Sequence, residues 1–169
     1  RRIVAHGTFG ADDPRPVGGD TVFEAGSIGK VFTSLPLSIA VERGEVRLDQ
    51  PVAELLPDGT SVPERGGREI TLVDLATQTS GLPRMPDNFD PADPANPYAD
   101  YTVEDLYAFL ADHELQRDIG AAFEYSNLGV GLLGHALSVE LGRDYETLIR
   151  ERIAEPLGLD DTVVDFTPE

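Results

Sequence analysis

Between Asn127 and Leu141 the chain is apolar over a helical length and stops at Gly142, the residue type expected at a helix C-terminus. Inside this segment sit Gly129, Gly131 and Gly134. Each costs the helix about 1 kcal/mol of propensity relative to alanine, so together they point to the close approach of another backbone. The expected neighbour is the helix that starts at Ser27. That helix should run to about Arg43 and stop at Gly44, with Pro36 removing one backbone donor and kinking or breaking it. Thr71 with Asp74, and Thr102 with Asp105, have the spacing of capping boxes. They start a short helix ending before Ser80-Gly81 and a longer one through about His113. Asp144 caps a last helix to Ala154.

Extended structure is scarcer. Arg2 to Phe9 reads as a short strand and Val46 to Leu56 as an extended stretch. Residues 81–101 carry Pro83, Pro86, Pro91, Pro94 and Pro97, which makes a loop too long and too polar for a simple connection. The expectation is five helices, little strand, and one domain across all 169 residues.

Charge narrows the partners. Thirty-one acidic against thirteen basic residues give a formal net charge of −18, which repels nucleic acid and anionic membranes. No apolar run approaches the roughly 18 residues of a membrane span, and the first residues do not resemble a signal peptide. There is no cysteine, so thiolate chemistry, disulfides and thiolate metal sites are excluded. His6, His113 and His135 are scattered without metal-ligand spacing, and no glycine-rich nucleotide motif occurs. No metal or cofactor is expected, and hydroxyl and amine chemistry remain.

The amine is Lys30, the single lysine among thirteen basic residues. Arginine can replace lysine in most charge contacts but does not deprotonate in proteins, whereas a lysine amine can be tuned to act as a base. Ser27 lies three residues earlier, and Ile28, Val31, Phe32 and Leu35 recur at helical spacing. Three residues advance a helix by about 4.5 Å and about 300°, which puts hydroxyl and amine on one face. At a helix start the backbone N–H groups also favour a developing oxyanion. An ordinary core helix, with Ser27 as N-cap and Lys30 on a solvated first turn, fits the same residues.

Further along, Tyr125-Ser126-Asn127 precedes the glycine-containing helix. By itself the tripeptide reads most simply as a helix cap with Tyr125 packed at its side. S-x-x-K followed about a hundred residues later by Y-x-N resembles the penicillin-recognising serine hydrolases, meaning class C β-lactamases with their DD-peptidase and esterase relatives. Thr21 to Ser27, Gly44 to Val52, Thr79 to Pro83, Tyr125 to Gly129 and Pro156 to Thr162 are similar to successive landmarks of that family, in order.

The resemblance implies an α+β fold of the β-lactamase/transpeptidase type. This chain would supply mainly the helical lobe with a remnant of the antiparallel sheet, and the site would lie in the cleft between them. It implies Ser27 as acylated nucleophile, Lys30 as its proton acceptor, Tyr125 as a second general base and Asn127 as the holder of the substrate amide. Substrates would be β-lactams, D-amino-acid peptides or esters, in the periplasm or outside the cell. The pattern departs from the family at three places. With Lys30 the only lysine, no K-T-G triplet lies in these residues, so half of the oxyanion hole falls outside them. Gln78 stands where relatives generally have histidine, and Pro36 lies in a helix that relatives leave unbroken. The alternative to a hydrolase is a non-catalytic interaction module, with a second copy or a complementing chain completing the sheet and the active site.

Overall fold

The computed structural model describes residues 17–19 and 21–165. A 3₁₀ turn, Gly26–Ile28, leads into α1 (Gly29–Glu42), and a second 3₁₀ turn, Val52–Leu55, follows. Then come α2 (Leu72–Ala76), α3 (Val103–Asp112), α4 (Asn127–Leu141) and α5 (Tyr145–Ile149). From α5 the chain continues without a break through a π-helical turn, Arg150–Ala154, into Glu155–Leu157. The last helix therefore runs one turn past its expected end at Ala154. Arg152 ties the π-helical turn to the loop just after α1 through a bidentate pair with Glu45, at 3.0 Å on both nitrogens.

Among the described residues there is no strand, and two isolated antiparallel bridges, Pro51 with Thr71 and Arg65 with Arg68, are all the sheet pairing they contain. The strand expected over Arg2 to Phe9 lies outside the described residues. The extended stretch expected over Val46 to Leu56 is corrected to turns and the Val52–Leu55 turn of 3₁₀ helix. Its apolar residues Val46, Val52, Leu55 and Leu56 are indeed buried, but they plug the core individually from a winding chain. Burial without period-two alternation is what sequence alone could not distinguish from a strand.

α4 is the central element, packed against α1, α2, α5 and the Val52–Leu55 turn. Leu128, Val130, Leu132, Leu133, Ala136 and Leu137 are all buried along it. None of its glycines meets the backbone that the sequence suggested. A β-carbon on Gly134 would stand 3.0 Å from the Tyr145 ring of α5 and 3.4 Å from the Thr33 methyl of α1. The nearest neighbour is thus α5, with the serine helix second, and the approach is by side chains. Gly131 meets nothing within 4 Å, and Gly129 faces the Ser126 and Ser80 hydroxyls.

α1 runs unbroken through Pro36, whose ring is buried in the core with Leu37 and Ala40. Burial of the ring offsets the lost backbone bond, which explains why a break does not follow. Thr33, Ser34 and Ser38 donate their hydroxyls back to the carbonyls of Gly29, Lys30 and Ser34, a pattern common where polar residues sit within helices. The opposite face of α1 is bare: Ile28, Val31 and Leu35 are 64%, 56% and 39% exposed.

Both capping boxes form as the spacing indicates, at Thr71 with Asp74 and at Thr102 with Asp105. The first does more than start a helix. Asp74, only 3% exposed, accepts from Thr71 N–H and Oγ1 and also from Arg68 Nη2 at 2.9 and 3.1 Å. Arg68 in turn donates to the carbonyl of Ile119, and Gly120 N–H bonds Thr79 O at 2.8 Å. One buried carboxylate thus joins the start of α2 to the loop ahead of Tyr125. Asp74→Ala removes the carboxylate half of the capping box and the Arg68 ion pair. The expected loss is roughly 2 to 4 kcal/mol of stability, read as a lower urea midpoint with an unchanged slope.

Candidate active site

Gly26 adopts φ 52°, a left-handed conformation that glycine takes without steric cost. The chain turns there into the 3₁₀ turn that carries Ser27, just ahead of α1. The formal N-cap of α1 is Ile28, with no side-chain capping bond. Ser27 is therefore not a helix cap, and its hydroxyl is directed elsewhere. It lies 2.6 Å from the Tyr125 hydroxyl, across 98 residues of sequence, and accepts from Lys30 Nζ at 3.4 Å. Lys30 Nζ is also 4.7 Å from the centre of the Tyr125 ring. Ser27 is exposed, while Lys30 and Tyr125 are half-buried.

Tyr125 owes its place to a segment that runs alongside it. Residues 78–84 leave the end of α2 and pair with 120–128 through Glu124 N–H to Gln78 O at 2.8 Å and Asn127 N–H to Arg84 O at 3.0 Å. Between these bonds Ser126 is 1% exposed, donates its hydroxyl to Pro83 O at 2.6 Å and accepts Gly129 N–H at 2.8 Å. It caps α4 as the sequence suggested, and the same hydroxyl fastens the two segments together.

The pairing brings in a residue that sequence reasoning missed. Arg84 places its guanidinium carbon 5.1 Å from the Tyr125 ring centre, on a phenol that already faces Lys30. Hydrogen bonding with Lys30, then with Ser27, holds the Tyr125 hydroxyl below the usual tyrosine range, outweighing desolvation, which raises it; the Lys30 and Arg84 charges add smaller effects in the lowering direction. Nothing in the sequence around Arg84 distinguishes it from the other arginines, because its role depends on a pairing with residues some forty positions away.

Asn127 stands apart from this trio. Its side-chain amide is 3.5 Å from the Met85 sulfur, and it lies at the junction of two hollows. One is an apolar cavity of about 250 Å³ beneath the proline-rich loop, walled by Met85, Phe89, Tyr101, Leu106 and Leu132. The other, of about 570 Å³, is a groove between α1 and α4 that reaches Lys30 and Tyr145. Over the first, the loop is ordered by its own side chains: Phe89 packs on Tyr98 and Tyr101, and Tyr101 donates to Asn88. His135 lines both hollows, accepts or donates a 2.6 Å bond with Tyr107, and has its pKa lowered by burial. Among the described residues no cluster of three or more acidic, histidine or cysteine side chains could hold a metal, and no helix is long and apolar enough to cross a membrane.

A hydroxyl 2.6 Å from a phenol of lowered pKa, with an amine beside both, can lose its proton as it attacks an electrophile. Proteins of known activity resemble the chain as a whole in sequence and backbone. The chain is 35% identical over 150 residues to the D-alanyl-D-alanine-carboxypeptidase/endopeptidase AmpH of Escherichia coli, a match covering 89% of this chain and 38% of that protein. Its backbone superposes with a TM-score of 0.77 and 32% identity on the β-lactamase/D-alanine carboxypeptidase of Yersinia pestis, covering 83% of this chain and 40% of the other. The D-amino acid amidase of Ochrobactrum anthropi follows with a TM-score of 0.73 and 29% identity, over 92% of this chain and 43% of that one. The chain thus spans about two fifths of the length of each relative. The β-lactamase family model matches residues 1–169, and with it the fold is of the β-lactamase/transpeptidase type: this chain belongs to the β-lactamase family.

Proposed function

We propose that the chain carries the nucleophile and bases of a serine hydrolase acting through an acyl-enzyme on β-lactams, D-amino-acid peptides or esters. The observation that carries this is the 2.6 Å contact between Ser27 Oγ and Tyr125 OH, with Lys30 Nζ 3.4 Å from the same oxygen. Ser27 Oγ attacks the carbonyl carbon, and its proton passes to the Tyr125 oxygen or the Lys30 amine. The tetrahedral intermediate then expels the leaving nitrogen or oxygen, which takes that proton, and water later cleaves the ester on Ser27 by the reverse route. Tyr125 is the nearer base, and Lys30 and Arg84 keep its oxygen ready to accept. We assign the substrate amide to Asn127, which lines both the apolar cavity and the groove. The Ser27 N–H at the start of the helical turn supplies one oxyanion donor. The activities named for the relatives support the substrate class.

A second reading rests on the bare face of α1. Ile28, Val31 and Leu35 recur at helical spacing and are exposed, an apolar stripe of the kind that marks a contact surface. On this reading the chain is an interaction module, and a complementing chain or second copy supplies the sheet and the rest of the site.

Labelling separates the two. Incubated with a fluorescent penicillin or a fluorophosphonate ester, the chain should gain one covalent adduct on Ser27, detected by intact mass. Tyr125→Phe and Lys30→Ala should each slow labelling by about 100-fold or more. No adduct from either probe would leave only the module reading, and labelling indifferent to both substitutions would remove the proposed bases.

The labelling rate should also report the ionisation of Tyr125. With the phenolate as the accepting base, the rate rises with pH through the Tyr125 pKa and levels above it; a rate indifferent to Tyr125 ionisation assigns the proton to Lys30. Arg84→Gln removes a positive charge that favours the phenolate, so the rise should move to higher pH while the plateau stays. Labelling across a pH series in the wild type and this variant checks both points.

A further inference from the structure

Gln78 is the one non-glycine residue with positive φ, at 63°, among the described residues. It occupies the position just past the C-cap of α2. There its own N–H bonds Leu75 O at 3.3 Å and the next N–H, of Thr79, bonds Asp74 O at 2.8 Å. This is the Schellman arrangement, in which the left-handed residue is usually glycine because a β-carbon is strained there. The helix end alone would be served better by glycine. What glycine could not supply is the side chain: Gln78 Oε1 accepts the Ser126 N–H at 2.5 Å, while Gln78 O accepts the Glu124 N–H at 2.8 Å. The two donors flank Tyr125, so one strained residue grips the backbone on both sides of the phenol-bearing position. The Ser126 N–H belongs to a buried residue, and would be left unsatisfied if the amide were removed.

We propose that Gln78 is a positioning residue of this site: its side-chain amide fixes residues 124–126 and so aims the Tyr125 hydroxyl at Ser27 and Lys30. The inference rests on the acyl-transfer reading for its effect on rate, but the geometry it asserts can be tested without turnover. The groups facing the Tyr125 ring and hydroxyl are Ser27, Lys30 and Arg84, and the neighbouring Glu124 is paired with Arg117. If the amide is lost and the segment relaxes, the phenol moves away from Ser27 and Lys30 and ionises at higher pH.

Three substitutions distinguish positioning from a merely structural role. Gln78→Gly relieves the strain and keeps the backbone bond, but lacks the acceptor. Gln78→Asn tolerates the left-handed conformation better than most residues, yet is one methylene too short to reach Ser126. Gln78→Glu keeps an acceptor at full length. The ionisation of Tyr125 is read by ultraviolet difference titration of each variant against the same variant carrying Tyr125→Phe. In the Gly and Asn variants it should move to higher pH. Labelling of Ser27 should fall roughly 10- to 100-fold in both, the scale expected for a reacting group displaced by about an ångström. Gln78→Glu should restore labelling to within a few-fold of wild type at a pH where Tyr125 is ionised. The thermal midpoints of the three variants should not follow this order.

An unchanged Tyr125 ionisation in both the Gly and Asn variants would overturn the proposal whatever the labelling does. So would labelling losses that merely track the folded fraction, or a Glu variant as impaired as Asn. If the wild type forms no adduct at all, the acyl-transfer reading fails by itself, and the titration still decides the role of Gln78.

Discussion

The Ser126 hydroxyl is the junction on which the site depends. Buried to 1% exposure, it donates to Pro83 O, accepts the Gly129 N–H that opens α4, and leaves its own N–H to Gln78. A small polar group is buried at little cost when its proton and an acceptor site find partners, and here the hydroxyl both donates and accepts. The consequence is geometric. α4 starts where residues 78–84 end, Tyr125 and Asn127 project from either side of the junction, and Arg84 is carried to the tyrosine ring. Behind it, the Asp74 carboxylate performs the same service for the preceding loop through Arg68 and Thr71. Two buried polar nodes, joined by a few residues of loop, therefore hold a phenol in place with no strand among the described residues.

The serine arrives from the other direction, on a turn made accessible by Gly26 and supported by the packing of α1 on α4 through Thr33, Gly134 and Tyr145. Thr33 Oγ1 and Tyr145 OH share a 2.6 Å bond at that contact, so α1 is fixed in rotation as well as in distance. This fixes which way Ser27 and Lys30 face. With both helices anchored, the 2.6 Å meeting of Ser27 and Tyr125 needs no further support from the exposed side of α1. That side is left apolar and exposed.

Much of the fold was legible because its signals are local. A capping box is written in four consecutive residues and forms wherever the following helix can bury its apolar side; both boxes formed. Ser126, Asp144 and Gly142 act at the helix ends where their residue types suggest. The Val46 to Leu56 stretch misled for a physical reason: buried apolar residues in an irregular segment carry the same composition as a short strand. The cap reading of Ser27 failed for a different one, since a hydroxyl that can satisfy a helix N–H can equally bond a tyrosine that is distant in sequence.

What the sequence by itself determined is chemical. One lysine three residues after a serine, no cysteine, no metal spacing and a strongly acidic surface leave hydroxyl and amine chemistry as the available kind, since side-chain identity sets which groups can ionise or attack. What only the tertiary structure decided is the order of the contacts. Tyr125 is nearer to Ser27 than Lys30 is, Arg84 joins Lys30 on the phenol, and Gln78 accepts strain at a helix end where glycine would suffice. Each of these depends on segments forty to a hundred residues apart being held within about 5 Å. Hydrogen-bond strength and local field fall steeply over such distances, so they are properties of the packed chain and not of its local sequence.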